Sequence, residues 1–179
     1  LVNINIYNRK AWCGSMMNKD TKILVADENN EIRCRISNLL RNRGAGVIDE
    51  VKNGDEAMRM ISHRMYDVVV ADMWLPVTDA VTIMKKCSDS SAPSPSFVLL
   101  SQLSTPSVMM EANRAGAALC MPKPVDYELL GDRIETVLKN RGAESAKENS
   151  DSGASSSPVD METQVTRIIH QIGVPAHIK

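Results

Sequence analysis

Residues Asp67 to Pro76 read DVVVADMWLP, an unbroken apolar run of Val68, Val69, Val70 and Ala71 closed by a single acid, Asp72. A strand buried on both faces has this composition, because it lacks the polar/apolar alternation of a half-exposed strand. Such a strand delivers its terminal carboxylate to the rim where open α/β sheets bind ligands, and Pro76 then breaks the chain. Taken alone, Asp72 reads equally well as a cap for the next helix, since Asp is common in turns. How the other strands end decides between the two.

Upstream, Lys22 to Asp27 (KILVAD) is a first buried strand closing on Asp27 and Glu28. Asn29 or Asn30 can cap a helix carrying Ile32, Ile36, Leu39 and Leu40 at helical spacing, with Gly44 at its end. Val47 to Val51 is a weaker strand, Asn53-Gly54 a turn, and Ala57, Met58 and Ile61 mark a second helix. Beyond Pro76, Val81, Ile83 and Met84 predict a third helix ending near Lys86, followed by a Ser/Pro-rich surface loop, Ser88 to Ser96. Phe97 to Leu100 (FVLL) is a fourth strand delivering Ser101. Thr105-Pro106 opens a fourth helix with Val108, Met109 and Ala112, closed by Gly116. Ala118 to Met121 is a short fifth strand that hands over Lys123 between Pro122 and Pro124. Tyr127, Leu130, Ile134, Val137 and Leu138 form a last helical face, ended by Gly142.

Five alternations of strand and helix predict right-handed crossovers and a parallel sheet covered on both faces, a doubly wound α/β fold. The chain of 179 residues suits one ordinary domain plus an appendage. Residues 1–21 read as a disordered N-terminal extension, 22–141 as the domain, and 142–160, rich in Ser, Gly and charge, as a flexible linker. A formal net charge of -1 provides no electrostatic footprint for nucleic acid or an acidic membrane. Cys13, Cys34, Cys87 and Cys120 form no C-x-x-C pair, and no apolar run reaches membrane length, which points to a reducing cytoplasm. The 11 methionines read as adaptable core filler. His170 and His177 are separated by the helix breakers Gly173 and Pro175, so they make a poor metal pair.

The strand ends therefore collect Asp27 and Glu28, Asp72, Ser101 and Lys123 along one rim. Four strands each presenting a polar group there are hard to explain as caps. Carboxylates side by side repel unless a cation neutralises them, and all-oxygen ligation without His or Cys suits Mg²⁺. A carboxylate is also a nucleophile able to form an acyl phosphate, with a Lys and a hydroxyl left to stabilise phosphoryl oxygens. The set reads as a site that accepts a phosphoryl group on Asp72.

These residues resemble the receiver domain of two-component response regulators over about Lys22 to Arg141. The resemblance implies a flavodoxin-like five-stranded sheet of order 2-1-3-4-5. It implies Asp72 as phosphoacceptor, assisted by Ser101 and Lys123, and a Mg²⁺ ion held by Asp27, Glu28, Asp72 and the backbone carbonyl of Trp74. It also implies a histidine phosphotransfer protein or sensor histidine kinase as donor, a homodimer through the fourth and fifth helices, and no enzymatic activity beyond the domain's own phosphorylation and dephosphorylation. Val165 to Lys179 (VTRIIHQIGVPAHIK) is similar to the start of the DNA-binding domain of stage-zero sporulation master regulators. Residues 161–179 would thus be the truncated start of a helical effector domain, with DNA a partner only of a longer parent.

The sequence departs from the receiver pattern at several places. Glu28 stands where a second Asp is usual, Leu75 for Met, Ala80 for Gly, Gln102 for a small residue and Cys120 for an aromatic rotor. An alternative reading is accordingly a degenerate pseudo-receiver, a phosphorylation-independent interaction module. A flavin or nucleotide enzyme is the third class, disfavoured because no Gly-rich phosphate loop follows the first strand.

Overall fold

The computed structural model describes residues 17–91, 93–103 and 105–148, with side chains to residue 143. Its elements are β1 (Lys22–Ala26), α1 (Asn30–Asn42), β2 (Val47–Val51), α2 (Gly54–His63), β3 (Val68–Asp72), α3 (Ala80–Ser88), β4 (Ser96–Ser101), α4 (Pro106–Arg114), β5 (Leu119–Pro122) and α5 (Tyr127–Glu148). The strands form one parallel sheet of order β2-β1-β3-β4-β5. The expected flavodoxin-like architecture and strand order are both present. Leu1–Ala143 and Glu144–Lys179 are two units, and of the second only the end of α5 lies among the described residues.

The apolar runs of the strands explain the layering, because alternate side chains of each point to opposite faces. On one face Leu24, Val69, Phe97 and Leu99 pack with Ala57 of α2, Ile83 and Met84 of α3 and Ala112 of α4. On the other, Ile23, Val25, Val68, Val70, Val98 and Leu100 pack with Ile36 and Leu40 of α1 and Leu130 and Ile134 of α5. Each fully buried branched side chain contributes roughly 1.5–3 kcal/mol, so the central strands fix both layers at once.

Side-chain caps begin four of the helices next to the carboxyl rim. Asn29 accepts from the backbone N–H groups of Glu31 and Ile32, Asn53 from Glu56, Asp79 from Thr82 and Thr105 from Val108. Such caps are worth about 1 kcal/mol each. Burial works against the Asp79 carboxylate, but the hydrogen bonds from Thr82 outweigh it and hold its pKa below the ordinary value. A second tie joins α1 to α5, where the Arg43 guanidinium reaches Asp132 at 2.7 Å and Glu128 at 2.8 Å. Gly131 makes room for it, since a Cβ there would lie 2.4 Å from the Arg43 Nε.

The boundaries differ from the sequence reading in several places. Asn53-Gly54 is the start of α2 rather than a free turn, with Asn53 as the cap. The fifth strand is shifted by one residue, and the third helix runs on to Ser88. Gly142 does not end α5, which continues to Glu148. One interior glycine costs about 1 kcal/mol, and the following Ala-Glu-Ser-Ala-Lys-Glu is rich in helix formers. Met17 and Thr21, assigned to the extension, are buried against the domain. Residues 1–16 and 161–179, with His170 and His177, lie outside the described residues.

Candidate functional site

Parallel register sets the site. Ala26 of β1 lies beside Ala71 of β3, so Asp27 and Asp72 leave neighbouring strands at one level. Ser101 pairs with Pro122 across β4 and β5, and the Lys123 backbone N–H donates to the Ser101 carbonyl at 2.8 Å. Lys123, whose peptide bond to Pro124 is cis, then extends its side chain across the end of β4. Its Nζ donates to Asp27 Oδ2 at 2.6 Å and to Asp72 Oδ2 at 2.5 Å. The second oxygen of each acid is also engaged. Asp27 Oδ1 accepts from the Asn29 N–H at 2.8 Å, and Asp72 Oδ1 from the Trp74 N–H at 2.9 Å.

The three side chains are 3%, 13% and 9% exposed for Asp27, Asp72 and Lys123, so their attraction is screened little by solvent. Burial by itself would lower the Lys123 pKa. The hydrogen bonds to Asp27 and Asp72, with their charges, more than offset it and raise the pKa above its ordinary value.

The other predicted residues are placed differently. The Ser101 hydroxyl is buried and turned into the loop after β4, donating to the Leu103 carbonyl at 2.9 Å and accepting from its N–H at 3.2 Å. It makes no hydrogen bond with Asp72; a hydroxyl without an anion before it takes the nearest backbone partners. Glu28 is exposed, and among the described residues only its backbone carbonyl is tied, to Arg33 Nη1 at 2.9 Å. Among the described residues no group of three or more His, Cys, Asp or Glu converges as a metal cluster, so two of the three expected carboxylates share a centre. Trp74 is 51% exposed on the loop after β3.

The donor chemistry fits a hard divalent cation. Asp27 and Asp72 already share one positive charge, and the ligands they offer are carboxylate oxygens. Magnesium is typically bound through one or two carboxylates with waters completing its shell, so two converging acids are sufficient protein donors.

The response regulator receiver domain, as a sequence family, matches residues 23–135. The chain belongs to that family. Among solved structures the receiver resembles that of the Francisella response regulator 1452, at 24% identity and a TM-score of 0.64, covering 68% of this chain and 99% of the other. The chemotaxis response regulator CheY4 of Vibrio cholerae is similar at 24% identity and a TM-score of 0.61, over 65% and 98% of the two chains. The BeF3-activated DrrB receiver domain matches at 25% identity and a TM-score of 0.60, over 66% and 97%. Receivers are signalling modules that interact with histidine kinases or phosphotransfer proteins. No helix among the described residues is long and apolar enough to cross a membrane.

In this receiver the loop after β3 is braced in a way the sequence reading missed. The Gly54 N–H donates to the Pro76 carbonyl at 3.0 Å, and Thr78 Oγ1 donates to Asp55 Oδ1 at 2.7 Å. Arg33, also missed, donates to the Asp27 carbonyl at 2.7 Å and steadies the loop after β1. An NGD run beside a Pro-containing loop was the available signal, but it reads as an ordinary turn.

Val77 in the same loop has φ of 72° and is 78% exposed. Positive φ in a β-branched residue costs about 1–2 kcal/mol, and its exposed side chain recovers little by packing. Val77→Asn is expected to raise stability by about 1 kcal/mol, seen as a higher urea midpoint at unchanged slope. An unchanged or lower midpoint would show that the backbone is not strained there.

Proposed function

We propose that the receiver accepts a phosphoryl group on Asp72 from a phosphohistidine, as the regulated module of a phosphorelay. The single observation that carries this reading is the buried triad, in which Lys123 joins Asp27 and the candidate acceptor Asp72 at the carboxyl end of the sheet. A carboxylate oxygen of Asp72 forms the new bond to phosphorus while the donor's N–P bond breaks, and the imidazole keeps that electron pair and takes up a proton. Lys123 then transfers from Asp72 Oδ2 to a phosphoryl oxygen, so its positive charge follows the negative charge that has moved. Ser101 leaves the Leu103 backbone to donate to another phosphoryl oxygen. Asp27, Asp72 and the Trp74 carbonyl are the proposed Mg²⁺ ligands; Glu28, the remaining expected ligand, is exposed and would have to turn inward to join them. The ion supplies charge neutralisation for the incoming phosphoryl group.

The expected result with Mg²⁺ and acetyl phosphate is a single added phosphoryl group by intact mass, which is absent in Asp72→Asn and without Mg²⁺. A second reading, the pseudo-receiver, is favoured by the Ser101 hydroxyl being hooked to Leu103 and by Glu28 standing apart from the two acids. No adduct in the wild type under these conditions would favour it and overturn the first.

The similarity of Val165 to Lys179 to the sporulation regulators supports a finer reading: the receiver controls a sporulation-type transcription factor, with DNA bound by a downstream domain. Homodimerisation through α4 and α5 belongs to the same proposal. Coding sequence after Lys179 without helix-turn-helix character would overturn the transcriptional part.

A further inference from the structure

A cleft of about 350 Å³ opens at the edge of the sheet opposite Asp72, beneath the starts of β3 and β4. It exists because α2 stops at His63 and α3 at Ser88, while Pro93 and Pro95 keep the returning chain out of both helices and delay strand pairing until Ser96. Small-molecule sites have volumes of roughly 300–1,000 Å³, apolar walls and a few polar groups that fix orientation. The walls here are Met58, Ile61, Met65 and Tyr66, with the buried Cys87 behind them. Met65, 62% exposed, continues the apolar wall out to the mouth of the cleft.

Arg64 and Lys86 line the cleft, and no Asp or Glu does. Arg64 is already paired, because Asp49 Oδ2 accepts from Arg64 Nη1 at 2.7 Å as well as from the Tyr66 hydroxyl at 2.6 Å. Lys86 is exposed and has no anionic partner among the described residues.

We propose that this cleft is a ligand site for a small amphipathic carboxylate, its tail lying along Met58, Ile61 and Met65 and its head group pairing with Lys86. The tail covers the exposed Met65, and the head group supplies the anion that the lining lacks. The site lies by the starts of β3 and β4, whereas Asp72 closes the other end of β3.

Decanoate is the probe, with decanol and decyltrimethylammonium as controls. Calorimetry is expected to give one decanoate per chain. Binding should slow acetylation of the Lys86 amine by an N-hydroxysuccinimide ester, read by peptide mass, while the exposed Lys52 reacts at an unchanged rate and serves as internal reference. Lys86→Glu should weaken decanoate about tenfold, the loss of one charge-assisted contact, and Ile61→Ser should weaken decanoate and decanol alike. Absence of Lys86 protection, decanol binding as tightly as decanoate, or an unchanged affinity in Lys86→Glu would overturn the proposal.

Discussion

Lys123→Met is expected to destabilise the domain by about 3 kcal/mol at pH 7, the usual cost of removing one partner from a buried ion pair. The methionine keeps most of the volume, so the loss is chiefly electrostatic. Asp27 and Asp72 are left facing one another with no cation, at 3% and 13% exposure. Two further measurements separate this cause from general damage. Millimolar Mg²⁺ should return much of the lost stability by standing in for the ammonium, and Asp72→Asn added to Lys123→Met should return a similar share by removing one of the repelling charges. The pH dependence has a definite sign. The folded pKa of Lys123 lies above its ordinary 10.5, so its contribution is fully present below 10.5 and is lost as pH rises through the folded value. The gap in stability between wild type and Lys123→Met should therefore be steady from neutral pH to about 10 and close above that. A Lys123→Met protein that melts with the wild type at pH 7 would show that the triad contributes nothing.

Gly54→Ala should cost about 3 kcal/mol, at the upper end for a single added carbon in a packed site. A Cβ at Gly54 would lie 1.7 Å from the Thr78 carbonyl oxygen and 2.6 Å from its carbon. These are backbone atoms, so the loop must move as a piece and break the Gly54 N–H to Pro76 bond. That loop carries Trp74, and Asp79 at its end caps α3. Acyl phosphate formation at Asp72 should therefore fall together with stability. The control is Gly142→Ala, where nothing lies within 4 Å. There the same substitution acts only on helix propensity and should stabilise α5 by up to about 1 kcal/mol. Equal urea midpoints for Gly54→Ala and wild type would show that the loop does not press on α2.

The sequence by itself determined the fold and the identities of the groups at one rim. Val68 to Ala71, Ile23 to Ala26 and Phe97 to Leu100 are apolar without alternation, which a chain tolerates only where both faces are covered. A polar residue closing such a run must lie at its end, and in a parallel sheet all such ends face the same way. What tertiary structure alone decided is how those groups meet. Lys123 contacts Asp27 across 96 positions of sequence and Asp72 across 51. Ser101 turns toward Leu103, Gly54 is required by a carbonyl 24 residues away, and α5 runs through Gly142. Each of these depends on distances between segments remote in sequence, or on which of two local hydrogen-bond partners is nearer. Residue type and spacing carry no record of either.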